Sequence, residues 1–558
     1  MDPSGKLTEI IYYDGNIVTM NDNQPSAEAV AVRNGQILAV GSKEDVFKLK
    51  GKDTRLVDLA GKTLLPGFVD AHSHVYGVGG QVTFANLLPA PDGEGSDIPS
   101  LQRLLRAYSV EHADIVKLMG WIVGFGYDES QLSERRPPNR NELDAVSSDL
   151  PVYIIHPSGH LGVCNSKALQ LCNITAATEN PKGGVIRREA DGRTPNGVLE
   201  ETAHFLVLSK LFDQPKDFME AMFLKGVAMY ASYGYTTAQE GRASVLQVEV
   251  MAGVARKGGL SIDVVAYPDL LTDQKAIAKP WLSREYSNHF RVGGGKIIVD
   301  GSPQGKTAWR DRPYYVPPEG YTADYVGYPS ASNKEVLKAV DDAFANGWQV
   351  LAHANGEAAI DLFIAAIREA TKKHGVGDRR PVLIHGQFLR EDQVDPLKEL
   401  GIFPSLFPMH TFYWGDWHRE QTVGPERADD ISPTGWMMSR GMKFTSHHDA
   451  PVAKPDSMRV LEATVTRRTR SRDILGPCHR VPVMIALKAM TLWPAYQYFE
   501  ENCKGSIEQG KLADFVVLSE DPTKVDPETI HDIKVLETIK EGRTVYDAAT
   551  AKHSNPSF

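Results

Sequence analysis

Leu64-Leu65-Pro66-Gly67-Phe68-Val69-Asp70-Ala71-His72-Ser73-His74 decides how the rest of the chain is read. An apolar run bounded by Pro-Gly and a polar cluster is the pattern of a buried strand. Residues two apart on a strand share a side. His72 and His74 therefore present two imidazoles to one place at the strand's C-terminal end. Two neutral imidazoles aimed at one point could hold a metal ion. A bare His-x-His is more often a pair of solvated loop histidines, so the metal reading needs support from further along the chain.

That support comes from three apolar runs. Trp348-Gln349-Val350-Leu351-Ala352-His353 and Val382-Leu383-Ile384-His385 each end in one histidine followed by a Gly-containing turn. Lys296 leads Lys296-Ile297-Ile298-Val299. A lysine in an apolar strand is costly to bury unless it is paired or loses its charge. A neutral amine can take up carbon dioxide as a carbamate, which is a carboxylate able to bridge two metals. Asp300 and Lys306 are the nearby rivals for a site role; a snorkelling lysine is the bland reading of Lys296. Strands and helices alternate at intervals of roughly 30–40 residues from Asp217 onward, which points to a parallel sheet with chemistry at the strand C-terminal ends.

Pro66-Gly67-Phe68-Val69-Asp70-Ala71-His72-Ser73-His74 resembles the first metal motif of the amidohydrolase superfamily. Gly124-Phe125-Gly126-Tyr127-Asp128, Leu143-Asp144, Ser158-Gly159-His160, Asn165-Ser166-Lys167-Ala168-Leu169 and Gly197-Val198-Leu199-Glu200-Glu201 narrow the likeness to the branch of N-substituted formamide deformylases. The resemblance runs over nearly the whole chain. It implies an α/β fold, a (β/α)8 TIM-type barrel with metal ligands His72, His74, Lys296, His353, His385 and Asp449. Asp449, in Ser446-His447-His448-Asp449, is similar to the family's strand-eight aspartate, which touches metal and moves a proton. The branch usually has Ser before this Asp; here His448 stands there, an extra pocket group or a packing change. A homodimer is also an expectation from the resemblance.

The ends and the middle fit the same plan. Residues 8–65 look all-β, with a hairpin signal at Asn34-Gly35. Gly505-Ser506-Ile507-Glu508-Gln509-Gly510-Lys511-Leu512-Ala513-Asp514-Phe515 resembles the signature that closes amidohydrolases, whose two ends pack into one small β-sandwich. The expected layout has residues 1–65 as the N-terminal portion of the sandwich and 501–558 as its C-terminal portion. Residues 66–500 are the barrel, with an inserted domain at about 85–215 after the first barrel strand. Pocket candidates are Tyr127, His156 and His160 from the insertion, His410 and Trp414 from the aromatic run Phe407–Trp414, and His448. Such content favours an apolar or aromatic substrate group. Arg310 and Arg312 are candidates for binding an acidic group, or surface residues.

Composition sets outer bounds. A net charge of −10 argues weakly against nucleic acid or anionic membrane as a partner. Four cysteines in 558 residues make no disulfide framework. Met1–Lys6 lacks a secretory pattern, and no run of about 18 apolar residues exists. A cytoplasmic location is expected. There is neither a Gly-x-Ser-x-Gly elbow nor a phosphate loop. The expected activity is hydrolysis of a C–N bond, amide or N-formyl, in a small partly apolar molecule by a metal-activated hydroxide. Zinc, one or two ions, suits the ligands, with other divalent transition metals open, and carbon dioxide enters as a lysine carbamate. The alternatives are a deaminase or cyclic-amide hydrolase on the same site, and a non-catalytic metal-binding relative.

Overall fold

The computed structural model describes residues 9–211, 214–277, 281–318 and 320–551; Met1–Lys6 lie outside this range. The fold is mixed α/β. Its centre is a set of parallel strands: β1 (Phe68–Val69), β2 (Tyr235–Ala243), β3 (Asp263–Pro268), β4 in two pieces (Phe290–Val292 and Gly294–Ile298), β5 (Gln349–Ala354), β6 (Val382–His385), β7 (Phe403–Leu406) and β8 (Thr445–Ser446). Each strand pairs with the next in chain order from β1 to the first piece of β4, and from the second piece of β4 to β8. Val264, Val265 and Ala266 are all buried, the unbroken apolar run expected where a parallel sheet is covered on both faces.

β4 changes partner at Gly293. Phe290–Val292 pairs with β3 and Gly294–Ile298 with β5, while a bridge from Asp269 to Lys296 joins the two sheets. At the other edge, Val69 of β1 donates its N–H to Met490 O (2.9 Å) and Ser446 of β8 donates to Ala489 O (3.1 Å). One turn thus holds the first and last strands side by side. Beyond it, Asp449 N–H donates to His72 O (3.2 Å) and His74 N–H to Ala450 O (2.7 Å).

Both chain ends share one eight-stranded sheet. Phe515–Leu518 lies antiparallel to Thr63–Pro66, the strand leading straight into β1. The sheet curls back on itself: Ile37 N–H donates to Lys511 O and Gly510 N–H to Ile37 O, both 2.8 Å. Asn34 and Gly35 both have positive φ, 53° and 76°, the hairpin geometry that their sequence favours. One short helix, Lys43–Phe47, interrupts the region read as all-β; Ser42 caps it by accepting the Asp45 N–H.

A buried chain of alternating charge ties this sheet to the parallel strands. Lys540 Nζ bridges Asp514 (2.8 Å) and Asp263 of β3 (2.7 Å), Lys504 joins Asp263 to Glu500, and Glu500 meets Arg291 of β4 at 2.6 Å.

The stretch after β1 opens with a helix, Val75–Thr83, packed on Lys216–Ser232. A Cβ on Gly79 would sit 2.2 Å from Met222 O, and one on Gly226 would sit 2.3 Å from Val75 O, so only glycine permits the approach. Six strands between Ala85 and Glu201 form a separate mixed sheet, with its own core around Leu87, Leu101, Leu105 and Ile154. Among the described residues no helix is long and apolar enough to cross a membrane.

Candidate metal centre

His72 and His74 follow β1, Lys296 lies in β4, His353 in β5, and His385 ends β6, while Asp449 follows β8. The structure brings all six together. His72 Nε2 lies 2.9 Å from Lys296 Nζ and 3.4 Å from Asp449 Oδ1. His74 Nε2 is also 3.4 Å from Asp449 Oδ1. His385 Nε2 is 3.7 Å from Asp449 Oδ2 and 3.1 Å from His353 Nδ1.

Each imidazole has its outer nitrogen occupied. His72 Nδ1 sits 2.6 Å from Gln239 Oε1, and His74 Nδ1 3.3 Å from Glu240 Oε1. His385 Nδ1 meets His447 Nε2 at 3.0 Å, and His447 Nδ1 in turn meets Ser405 Oγ at 3.0 Å. His353 is turned the other way, with Nε2 3.1 Å from Gly301 O and 2.9 Å from the Asn355 side-chain amide. An outer N–H donated to an acceptor fixes the tautomer and leaves the inner nitrogen as a lone pair. The inner set is then Nε2 of His72, His74 and His385, and Nδ1 of His353.

Burial pushes the His72, His353 and His385 imidazoles well below their usual pKa, with Lys296 and neighbouring histidines adding to the effect. They are neutral and able to coordinate. Burial would lower His74 too, but its hydrogen bonds to Asp449 and Glu240 outweigh this and hold it at about 9. A divalent cation would compete with that proton. Burial brings Lys296 down to about 7 despite the pull of Asp449, so its amine is neutral through a large part of the physiological range.

Asp449 Oδ1 is buried, and its approaches to His72 Nε2 and His74 Nε2 are long, 3.4 Å each, a costly state for a carboxylate oxygen. The gap that it faces is lined with imidazole nitrogens, those of His72, His353 and His385 neutral. Such a donor set fits a divalent metal ion, and His72, His385 and Asp449 offer ligand atoms all within 4.8 Å of one another. His385 and Asp449 also hold left-handed backbone, φ 74° and 52°. For side chains other than glycine this costs roughly 1–3 kcal/mol each, a cost concentrated at functional sites.

A narrow cavity opens from the cluster. Of about 20 Å³, it is lined by His353, His385 and Asp449 together with His160, His410 and Phe407. His160 Nδ1 is held 2.7 Å from Glu201 Oε2, at the end of the inserted sheet.

The other pocket candidates lie elsewhere. Trp414 donates its indole N–H to Asp128 Oδ2 (2.8 Å) and packs behind His410. Tyr127 is fully buried in the core of the inserted sheet, edge-on to His156. His156 Nδ1 holds Ser158 Oγ at 2.7 Å, while Nε2 faces Glu129 Oε2 at 3.2 Å. His448 points away from the cluster: its ring lies between Tyr230 and Tyr235, and Nδ1 accepts the Ala450 N–H. The chain leaves its extended course here, Asp449 taking up left-handed backbone, and His448 is turned to the core while Asp449 reaches the cluster. Asp300 accepts N–H groups from Trp309, Asn355 and Gly356, bracing the loops around His353. Lys306 reaches Gln421. Arg310 is buried in a fork with Glu357, and Arg312 pairs with Asp311.

Gln239, Glu240, His447 and Asp70 complete the frame and went unread in the sequence. Asp70 accepts the N–H of His72 (3.1 Å) and of Gln239 (2.9 Å) and the Ser73 hydroxyl. The legible signal was the polar pair Gln239-Glu240 inside the strand Tyr235–Ala243, whose side chains are nearly all buried.

Comparison with known proteins closes the question of family. A family model described as the amidohydrolase family matches residues 55–546. The chain belongs to the amidohydrolase family. It is therefore a hydrolase acting on carbon–nitrogen bonds. Within the family it is 27% identical over 545 residues to a putative amidohydrolase, YtcJ, of Bacillus subtilis strain 168, covering 96% of this chain and 99% of that one. It is 27% identical over 557 residues to the N-substituted formamide deformylase of Arthrobacter pascens, covering 97% and 99%. In fold it is similar to the crystal structure of an uncharacterised metal-dependent hydrolase from Pyrococcus horikoshii OT3, with TM-score 0.73, 22% identity and coverage of 93% and 99%.

Proposed function

We propose that this amidohydrolase is metal-dependent and cleaves an amide or N-formyl C–N bond in a small, partly apolar molecule. One observation carries the reading: four imidazoles turn their inner nitrogens onto one gap, each outer nitrogen being held by a partner, with the buried Asp449 carboxylate beside them. His72, His74, His353, His385 and Asp449 would hold the metal, one or two ions of zinc type. When bound, the metal supplies Lewis acidity, polarising a carbonyl oxygen and acidifying water.

The chain's own groups do the rest. Asp449 takes a proton from the attacking water and returns it to the departing nitrogen. Its Oδ1, 3.4 Å from both His72 Nε2 and His74 Nε2, faces the gap where such a water would sit. Lys296, its pKa lowered by burial to about 7, offers unprotonated amine that adds carbon dioxide to become a carbamate with release of one proton, making a further carboxylate beside His72. Phe407 and Val452 in the cavity wall suit an apolar substituent. The formamide activity of the Arthrobacter relative supports an N-formyl group as the first to test.

The test is elemental analysis of chelator-washed, metal-reloaded protein by plasma mass spectrometry, followed by N-formyl amines and aryl amides as substrates. One or two metal atoms per chain, with carboxylate release, are expected. Ammonia as the sole product would move the reading to deamination. Failure to take up any metal would end it.

A further inference from the structure

His410 is the second residue of the helix Met409–Trp417, which begins just after β7. Its ring is clamped edge-on by Phe407 and packed by Trp414, both at 4.6 Å between centroids. Its Nδ1 lies 2.9 Å from His418 Nε2, and His418 Nδ1 lies 2.7 Å from Thr422 Oγ1. This line is possible because the helix widens at His418–Thr422 into a π-turn, a local irregularity often found at functional sites. Nδ1 being committed, Nε2 is the nitrogen that His410 can offer to the cavity, which it lines together with His385 and Asp449. Among the described residues Nε2 has no hydrogen-bond partner.

The direction of the line follows from its far end. The Thr422 hydroxyl has two acceptors in reach: His418 Nδ1 at 2.7 Å and His418 O at 3.4 Å. That carbonyl already accepts the N–H groups of Val423 and Gly424. The hydroxyl proton therefore goes to His418 Nδ1. A neutral His418 then carries its proton on Nε2 and donates to His410 Nδ1. A neutral His410 in turn carries its proton on Nε2. Burial keeps both rings neutral.

We propose that Thr422, His418 and His410 form a fixed-tautomer line that presents His410 Nε2–H to the cavity, as a donor for the carbonyl oxygen of the substrate on which negative charge develops. This role rests on the hydrolase reading above. His410 touches the substrate, while His418 and Thr422 are positioning residues. A preorganised donor aimed at developing charge in a water-poor site strengthens in the transition state; loss of one such donor typically lowers kcat by about 10²–10³.

The test compares wild type, H410F, H410Q, T422V and T422S, all metal-loaded and checked for metal content. Substrate kinetics are read alongside calorimetric binding of methylphosphonate, a tetrahedral anion. H410F is expected to lower kcat by about 10²–10³-fold with KM nearly unmoved, and to weaken methylphosphonate binding at least tenfold. H410Q, whose amide can donate, should recover much of both. T422V should fall below T422S, which keeps the hydroxyl. H410Q no better than H410F, or T422V equal to T422S, would overturn the proposal. If H410F loses metal or fails to fold, H410Q and the Thr422 pair decide. If wild type hydrolyses no amide offered, the hydrolysis reading fails on its own, and methylphosphonate affinity still judges His410: unchanged binding in H410F counts against it.

Discussion

Truncating His72 removes the one imidazole whose inner nitrogen faces both Lys296 and Asp449. H72A is expected to lose metal and to drop kcat/KM by at least about 10³, the scale of several kcal/mol of transition-state stabilisation. Metal content and initial rates check this. K296M keeps the stem's packing but cannot form a carbamate; if two ions bind, their number per chain should fall. A separate prediction concerns pH. Burial opposes the charge on His156, but Glu129 and Asp128 outweigh it and hold its pKa up at about 9, against 6.5 in the unfolded chain. The folded state then binds more protons between these limits, so the contribution is full below pH 6.5 and is lost as pH rises to 9. The stability gap between wild type and H156Q should therefore be largest near pH 6 and close by about pH 9, read from denaturant midpoints. The inner residues were legible because each histidine ends an apolar run. Their outer partners were not: Gln239 lies 167 positions from His72, and His447 lies 62 from His385. Only folding brings them together. Side-chain direction was also hidden, since nothing in His447-His448-Asp449 says which of the three turns inward.

The strands place these residues with little slack. A Cβ on Gly241 of β2 would fall 2.4 Å from His72 Cε1. G241A is expected to push the His72 ring aside, lowering metal affinity about tenfold or more with far-ultraviolet circular dichroism unchanged. A similar close approach sits outside the site, where Gly226 meets the helix that follows His74. G226A should destabilise by about 1–3 kcal/mol, the usual cost of overpacking, as seen in urea unfolding. At this scale the parallel strands and the terminal hairpin were readable from apolar runs and from Asn34-Gly35. The partner change of β4 at Gly293 was not; Gly293 is kept small by Tyr267, whose ring a Cβ there would meet at 2.7 Å, a neighbour 26 positions away. The aromatic run Phe407–Trp414 gave pocket candidates but no helix: the aromatics of Met409–Trp417 are spread around it, leaving no apolar stripe at helical spacing to announce it.

Across the whole molecule, the terminal sheet is fastened to β3 and β4 by buried charge as well as by apolar packing. Asp263 stands between Lys504 and Lys540 with all three side chains buried. D263N should cost about 3–5 kcal/mol, because removing one partner leaves uncompensated charge in the interior; differential scanning calorimetry would register it. Pairing of the two ends was legible only through the likeness of the Gly505–Phe515 stretch to a family signature, since no local pattern names a strand's distant partner.

The pairing of Thr63–Pro66 with Phe515–Leu518 also sets a clock. During synthesis the strand leading into His72 waits for a partner made roughly 450 residues later. At about 5–20 residues per second that is an interval of roughly 20–90 s. For all of it, the apolar segment Leu64-Leu65 has one edge unpaired, exposed to any other nascent strand nearby. The His72-Ser73-His74 segment leaves the ribosome early, but its scaffold is completed among the last segments made, so expression yield should respond to chaperone supply more than to metal supply.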